Sequence, residues 1–334
     1  MKLKLLIATT DIDYAEHLSS YLSDKHSDTF DVSVASRQEN FINMLNSSRY
    51  DVALLDSEFT TCTELGAIRL SFVLIHDSPT FTSSDIHQMR KYQRISAMVG
   101  DILEIYAREN PDSQGMGAIG GRVTAVWSPV GGVGKTTVAL AYAANRVAQG
   151  KRSVYLNLEN FASTHVYFSA GGKSISKALE KLDADESNSQ MLMLGMRQQD
   201  SGSGIFYFNE PDNYDDMAIL TSEDTENLIK ACAAEADELV VDLSSNYNKN
   251  VQKIFEIANY IFIVADPSVT TQTKLCQFIG QGGTFEHMRA KLILVNNKGA
   301  RSVDNSFENH FQLPVVPTTD PISVYKSLSG GNFL

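Results

Sequence analysis

Val123-Thr-Ala-Val-Trp-Ser-Pro-Val-Gly131-Gly132-Val133-Gly134-Lys135-Thr136-Thr137 runs from an apolar stretch through a glycine-rich turn into a helical one, Val138-Ala-Leu-Ala-Tyr-Ala-Ala-Asn-Arg-Val-Ala-Gln149. A strand, a turn of this composition and a helix in that order are the setting of a phosphate-cradling loop. Gly131, Gly132 and Gly134 remove the side chains that would keep the backbone off a polyphosphate, so successive amides can point inward at a helix start. Lys135 supplies a point charge for the outer phosphates. The Thr136 hydroxyl can ligate Mg²⁺, and Val133 and Thr137 complete the candidate binding loop. Gly150 is expected to close the helix as its C-cap.

Outward from the loop, the chain has 334 residues, 43% of them apolar and 20% charged, enough for one large core or two. A disordered, collagen-like or disulfide-stapled chain is excluded. Lys and Arg total 28 against 40 Asp and Glu, for a net charge of −12. That balance repels phosphate backbones and anionic lipid, so no nucleic-acid partner is expected without a local basic patch. The densest such run, Met89-Arg-Lys-Tyr-Gln-Arg94, reads as a solvated helix face. Cys62, Cys232 and Cys276 are odd in number, far apart and not spaced like a zinc site, which fits ordinary thiols in a reducing cytosol. The N-terminal apolar run is too short for a signal or a span, and Ile322–Leu334 is too short and uncharged to grip a bilayer, so no membrane insertion is expected.

The one break in composition is Glu109–Gly121, rich in Gly, Pro and Ser without apolar periodicity. It divides the chain into a domain at 1–108, a linker at 109–120 and a domain at 121–334. Acidity is shared, with 10 basic and 17 acidic residues in 1–120 and 18 and 23 beyond. In the first domain, short apolar runs (Leu3–Ala8, Phe30–Ala35, Val52–Leu55, Phe72–Ile75, Ile95–Val99) alternate with longer amphipathic stretches, helical at Tyr14–Leu22 and Gln38–Ser47, and with Ile86–Tyr92 between the last two runs. The second domain has candidate strands at Arg122–Trp127, Ser153–Leu156, Gly204–Phe208, Leu239–Val241, Tyr260–Val264, Leu292–Val295 and Val315–Val316. Both read as α/β with parallel sheets, and the second as doubly wound. The polar stretches beginning at Asp183 and Asn209 read as surface loops.

Gly-Gly-Val-Gly-Lys-Thr-Thr resembles the deviant phosphate loop of MinD/ParA-class ATPases, and further landmarks of that class follow in order. Val154-Tyr-Leu-Asn157-Leu-Glu159 matches the switch that normally carries two aspartates. Asp237-Glu-Leu-Val-Val-Asp242 matches the strand bearing the Mg²⁺-side carboxylate. Leu292-Ile-Leu-Val-Asn296-Asn297 resembles the strand whose Asn reads the adenine edge, and Leu313–Asp320, with Pro317, the loop that packs on the base. The resemblance implies ATP and Mg²⁺ as cofactors, Lys135, Asp242, Asn157 and Glu159 as the catalytic set, Thr136 and Asp242 as metal ligands, and a homodimer. The signature lysine of that class, which reaches across the dimer to the partner's phosphates, is replaced by Val130. Asn157 can hydrogen-bond but cannot act as a base. Binding with slow or absent turnover is the expectation.

Asp11 and Asp13 after the first strand, and Asp56 after Tyr50-Asp-Val-Ala-Leu-Leu, resemble the carboxylates of a two-component receiver, Asp56 standing at the phosphate-accepting position. His76 or Asp77 stands where the receiver's hydroxyl belongs, and Ile95–Gly100 where its last strand and lysine belong, so the resemblance is to a degenerate receiver. The interval from Asp56 to Phe72 is too short for a full helix and both its loops. A receiver-like domain before a MinD/ParA-like ATPase is the layout of the TadZ/CpaE proteins of Flp (Tad) pilus assembly. That resemblance implies a cytoplasmic protein, at a cell pole, that recruits pilus or secretion assembly proteins. A partition or division-site ATPase and a receiver-based signalling adaptor are the alternatives.

Overall fold

The computed structural model describes residues 2–27, 29–61, 65–76, 86–109, 120–168, 173–182, 189–234, 236–300, 306–331 and 333. Cys62, Asp77, the 183–188 stretch and 110–119 of the expected linker lie outside the described residues. The chain divides into two compact units, Met1–Glu109 and Asn110–Leu334.

The first unit is a five-stranded parallel sheet in the order β2-β1-β3-β4-β5, with β1 Leu3–Ala8, β2 Phe30–Ala35, β3 Tyr50–Leu55, β4 Ile68–Ile75 and β5 His87–Arg90. This is the flavodoxin-like order, which places the strands' carboxyl ends around a crevice between β1 and β3. Leu5–Ala8 and Val52–Leu55 are fully buried, as central strands covered on both faces must be. Helix α1 (Ile12–Lys25) begins where the Asp11 carboxylate accepts the Tyr14 amide at 3.1 Å, and it buries Ala15, Leu18 and Leu22 at helical spacing. Helix α2 (Gln38–Ser47) buries Phe41 and Leu45. After β3 the chain makes 3-10 turns at Ser57–Phe59 and Leu65–Ala67, and Phe59 meets Phe41 edge-on at 5.3 Å.

Two expectations in this unit are corrected. Ile95–Val99 is not a strand; it opens helix α3 (Ile95–Glu109), because its apolar run continues as Met98, Val99, Ile102, Leu103 and Tyr106, all buried on one helical face. The last strand is β5, which ends at Arg90, so Met89–Arg94 is strand end and bend rather than a solvated helix face, and Lys91 is buried.

The second unit is an eight-stranded sheet in the order β13-β12-β11-β6-β10-β7-β9-β8. Its strands are β6 Arg122–Trp127, β7 Ser153–Asn157, β8 Gln198–Gln199, β9 Phe206–Tyr207, β10 Glu238–Asp242, β11 Tyr260–Ala265, β12 Leu292–Asn296 and β13 Asn309–Gln312. All neighbours are parallel except β8 and β9. Helices are α4 Lys135–Ala148, α5 Thr164–Tyr167, α6 Ile175–Leu182, α7 Ser189–Met196, α8 Tyr214–Ile219, α9 Ser222–Ala233, α10 Lys249–Ile257, α11 Val269–Ile279, α12 Gly283–Met288 and α13 Pro321–Ser329.

Adjacent residues of β6 point to opposite faces, and both faces are covered. Val126 joins the α4 core, where Tyr142 meets Phe262 at 4.9 Å, while Trp127 packs on Phe255 of α10 and Phe278 of α11. The sheet is doubly wound. Along α4 runs α13, held by two bonds from the Asn145 amide to the Ser329 and Gly331 carbonyls at 3.0 and 3.1 Å. At the other end of the strands, buried Glu238 accepts from Thr124 at 2.6 Å and pairs with Arg122 at 2.9 Å. Helix α4 ends at Ala148 with Gln149 as C-cap, and Gly150 takes the left-handed residue beyond it, φ +77°.

Val315–Val316 is not a strand. Its place at the sheet edge is taken by β13, which pairs only with β12 and is mostly exposed, so its sequence carries no apolar signal. The Gly204–Phe208 strand shrinks to Phe206–Tyr207, and the loop expected from Asn209 gives way to helix α8, capped by Asn213.

Candidate nucleotide site

The loop between β6 and α4 lies at the carboxyl ends of the strands, with β10 on one side of β6 and β11 on the other. Gly132 and Gly134 have φ of +78° and +97°, which glycine alone adopts without cost. A Cβ on Gly134 would also lie 2.5 Å from the Asn297 amide nitrogen. Gly131 is different: its φ is ordinary and a Cβ there would meet no atom within 4 Å. Gly134 is the N-cap of α4 and gives its first turn no side-chain cap, leaving the amides of that turn to other acceptors.

Lys135 is buried, with its ammonium 3.1 Å from the Ser245 hydroxyl and 3.9 Å from the Glu159 carboxylate. Val130, where the signature lysine would stand, is half-buried and packed on the α4 core. Half-buried Thr136 and Thr137 follow on the first turn.

Asp242 ends β10 fully buried, and one of its carboxylate oxygens has no hydrogen-bond partner. Burial pushes this carboxyl up to about 7, the charge of Glu159 adds to the rise, and Thr136, Tyr155 and Lys135 oppose it. Its other oxygen accepts from the Tyr155 hydroxyl at 2.8 Å. The Asn157 amide donates to that same phenol oxygen at 3.0 Å, and the Asn157 carbonyl accepts the Glu159 amide at 2.8 Å. Each end of the Asn157 carboxamide therefore holds one partner within the chain. Glu159 is also raised by burial, against the pull of Lys135.

On the opposite side of the loop, Asn296 is buried at the end of β12, and its backbone carbonyl accepts from Gln312 at 3.2 Å. It is the next residue, Asn297, whose amide donates to the Val133 carbonyl at 2.9 Å, and Lys298 donates to the Gly132 carbonyl at 2.6 Å. Pro317 is exposed in the segment between β13 and α13. Lys135, Asp242, Asn157 and Glu159 are thus brought together, while Pro317 shares no bond with the loop. Sequence reasoning missed Tyr155, Ser245, Asn297 and Lys298; the Asn-Lys-Gly run at 297–299, a signature of a left-handed turn, was the available signal.

No protein-family model and no curated protein matches the chain. Among solved structures, a ParA family ATPase from Chlorobium tepidum TLS aligns with a TM-score of 0.52 at 17% identity, over 63% of this chain and 91% of that one. The chain contains the fold of a ParA-family ATPase. Weaker likenesses are a cobyrinic acid a,c-diamide synthase from Mycobacterium smegmatis with bound ATP analog and magnesium (TM-score 0.46, 15% identity, 63% and 92% coverage) and the Pyrococcus furiosus cell division ATPase MinD (0.42, 12%, 62% and 80%). In the ParA-like unit, the glycine loop after the central strand is where this fold places a ligand, at the point where successive strands part to opposite sides.

The first unit has its own polar cluster at the carboxyl ends of β1, β3 and β5. The Lys91 ammonium donates to both Asp56 oxygens, at 2.9 and 3.1 Å, and to the Thr9 hydroxyl at 3.1 Å, with Asp11 at 3.6 Å. Thr9 in turn donates to Asp56, and the Tyr92 hydroxyl to Asp11 at 3.0 Å. The amide of Tyr14, then Tyr92, then Lys91 hold Asp11 below the ordinary carboxylate value. Asp13, in the first turn of α1, shares none of the bonds described for this cluster. The lysine paired with Asp56 is thus Lys91, just after β5 and ahead of Ile95–Gly100, and the hydroxyl bonded to Asp56 is that of Thr9, at the end of β1. Among the described residues no group of three His, Cys, Asp or Glu could hold a metal ion, and no helix is long and apolar enough to cross a membrane.

Proposed function

We propose that this chain is an ATP-binding, self-associating scaffold with slow or absent hydrolysis. One observation carries the reading: the parts that would hold a triphosphate are present, and those that would cut it are committed elsewhere. Gly131, Gly132, Val133, Gly134, Lys135, Thr136 and Thr137 form the binding loop, and Gly131 is a glycine that neither strain nor crowding requires, which leaves close approach of a ligand as its reason. The orphaned oxygen of Asp242, near Thr136, fits a magnesium ion, which prefers hard oxygen ligands; these two residues would hold it. Magnesium bound there would neutralise charge on the outer phosphates. Lys135 would leave Glu159 for phosphate oxygens. Asn157, held at both ends by bonds within the chain, cannot take a proton as a base would.

The cellular role we infer is that of TadZ/CpaE proteins: a homodimer at a cell pole that gathers pilus or secretion assembly proteins. Its support is the layout, a flavodoxin-like unit with an aspartate-lysine cluster ahead of a ParA-like unit. In that setting the first unit is a receiver-like docking module rather than a phosphate acceptor. The test is gel filtration and phosphate release with and without Mg²⁺-ATP for the native chain, Lys135→Ala and Val130→Lys. ATP-dependent dimers with negligible release, lost in Lys135→Ala, are expected; brisk native turnover refutes the reading. A positioning ATPase of the partition or division type is the second reading, favoured by the ParA-like fold. Phosphate release accelerated by DNA or by anionic vesicles would establish it instead.

A further inference from the structure

Lys298 is the single non-glycine residue with positive φ among the described residues, at +51°. A left-handed conformation costs an ordinary side chain free energy, so surrounding contacts must hold it there. Those contacts are visible. The Asn297 and Lys298 side chains donate to the carbonyls of two consecutive loop residues, Val133 at 2.9 Å and Gly132 at 2.6 Å. Gly299, φ +81°, completes the turn that lets adjacent side chains reach adjacent carbonyls.

The clasp has a geometric consequence for the loop. In a planar trans peptide the carbonyl and the following N–H point in opposite directions. Tying the Gly132 and Val133 carbonyls to the segment that follows β12 turns the amides of Val133 and Gly134 away from the clasp. The absence of a Cβ at Gly134 is what admits Asn297 to this position. The Lys298 ammonium also sits near Asp266; that carboxyl is raised by burial but lowered overall by bonds from Thr271 and Ser268 and by the charge of Lys298. The second unit therefore carries two lysines on its glycine loop, Lys135 from within it and Lys298 from outside.

We propose that Lys298 is a positioning residue for nucleotide phosphates: by holding the Gly132 carbonyl it locks the loop in its binding shape before ligand arrives. This rests on the nucleotide-binding reading above. It implies that the loop of a single chain is already shaped for nucleotide, before any partner chain is met.

The experiment uses the full chain, titrating fluorescent N-methylanthraniloyl ATP and ADP with Mg²⁺ against native protein, Lys298→Gly, Lys298→Met and Lys298→Arg. Lys298→Gly is the decisive variant, because glycine accepts φ +51° without strain while removing the ammonium. It is expected to melt no lower than native yet bind both nucleotides roughly tenfold more weakly, the usual scale for a lost charged hydrogen bond. Lys298→Met should lose affinity similarly, and Lys298→Arg should recover most of it. Native protein should bind both nucleotides even below the protein concentration at which dimers form. Native-like affinity in Lys298→Gly overturns the proposal. If native protein binds neither nucleotide, the nucleotide reading has failed; the clasp is then judged by amide hydrogen exchange at 132–135, faster in Lys298→Gly if it holds the loop and unchanged if it does not.

Discussion

Both units place a buried lysine at the carboxyl ends of a parallel sheet, and the two lysines are held in opposite ways. Lys91 is saturated, with both oxygens of Asp56 and the Thr9 hydroxyl within 3.1 Å. Lys135 has one neutral hydroxyl at 3.1 Å and a carboxylate no nearer than 3.9 Å, on a residue that burial already disfavours as an anion. A buried ion pair with good geometry is closed to outside ligands, whereas a loosely matched ammonium beside free amides gains by exchanging its partner for phosphate. The lesson is that similar strand-end architecture serves fixation in one unit and capture in the other.

The largest effect that tests this contrast is on binding. Lys135→Ala should weaken ATP binding by two orders of magnitude or more in a fluorescence titration, roughly the loss of several charge-assisted bonds; binding within a few-fold of native would erase the distinction. Next in size is stability of the first unit. Lys91→Met leaves half-buried Asp56 without its cation and should cost about 1–3 kcal/mol in urea unfolding, while Lys91→Met with Asp56→Leu should restore much of it. Recovery no better than the single variant would mean the cluster is more than a closed pair.

A smaller effect is expected with pH. Burial raises Asp242 from 3.8 to about 7 in the folded chain, so folding is favoured while that carboxyl is protonated. Its contribution is fully present below about pH 4, declines as pH rises, and is gone above about 7. In chelator, the melting temperature of Asp242→Asn should therefore fall less than native between pH 5 and 7; parallel slopes would show that Asp242 ionises normally. The smallest expected change is none: acetyl phosphate with Mg²⁺ should leave the mass of the native chain unaltered, since Lys91 occupies both oxygens of Asp56. A phosphoryl adduct on Asp56 would show the first lysine to be displaceable after all.

The glycine loop was legible because its demands are local: φ at 132 and 134, the helix start and Lys135 all lie within a few residues. The central strands were legible because burial on both faces makes them continuously apolar. Edge strands were not, since β5 and β13 pair on one side and read as polar. Ile95–Val99 looked like a strand because a short apolar run has no period; only Ile102, Leu103 and Tyr106 reveal the helix. Likewise, which of Asn296 and Asn297 reaches the loop depends on where β12 ends and the turn begins, a matter of one residue. Tyr155 was invisible because a tyrosine inside an apolar strand reads as core, and its hydroxyl gains meaning only once β10 brings Asp242 alongside.

Trp127 is the sole tryptophan of the chain, and its indole N–H donates to the Asn246 carbonyl at 2.8 Å. Asn246 directly follows Ser245, the hydroxyl that Lys135 would surrender on meeting a phosphate. The molecule thus contains a native optical probe wired to one neighbour of the glycine loop. Emission at the red edge of the absorption band would follow events on that segment without any dye or tag.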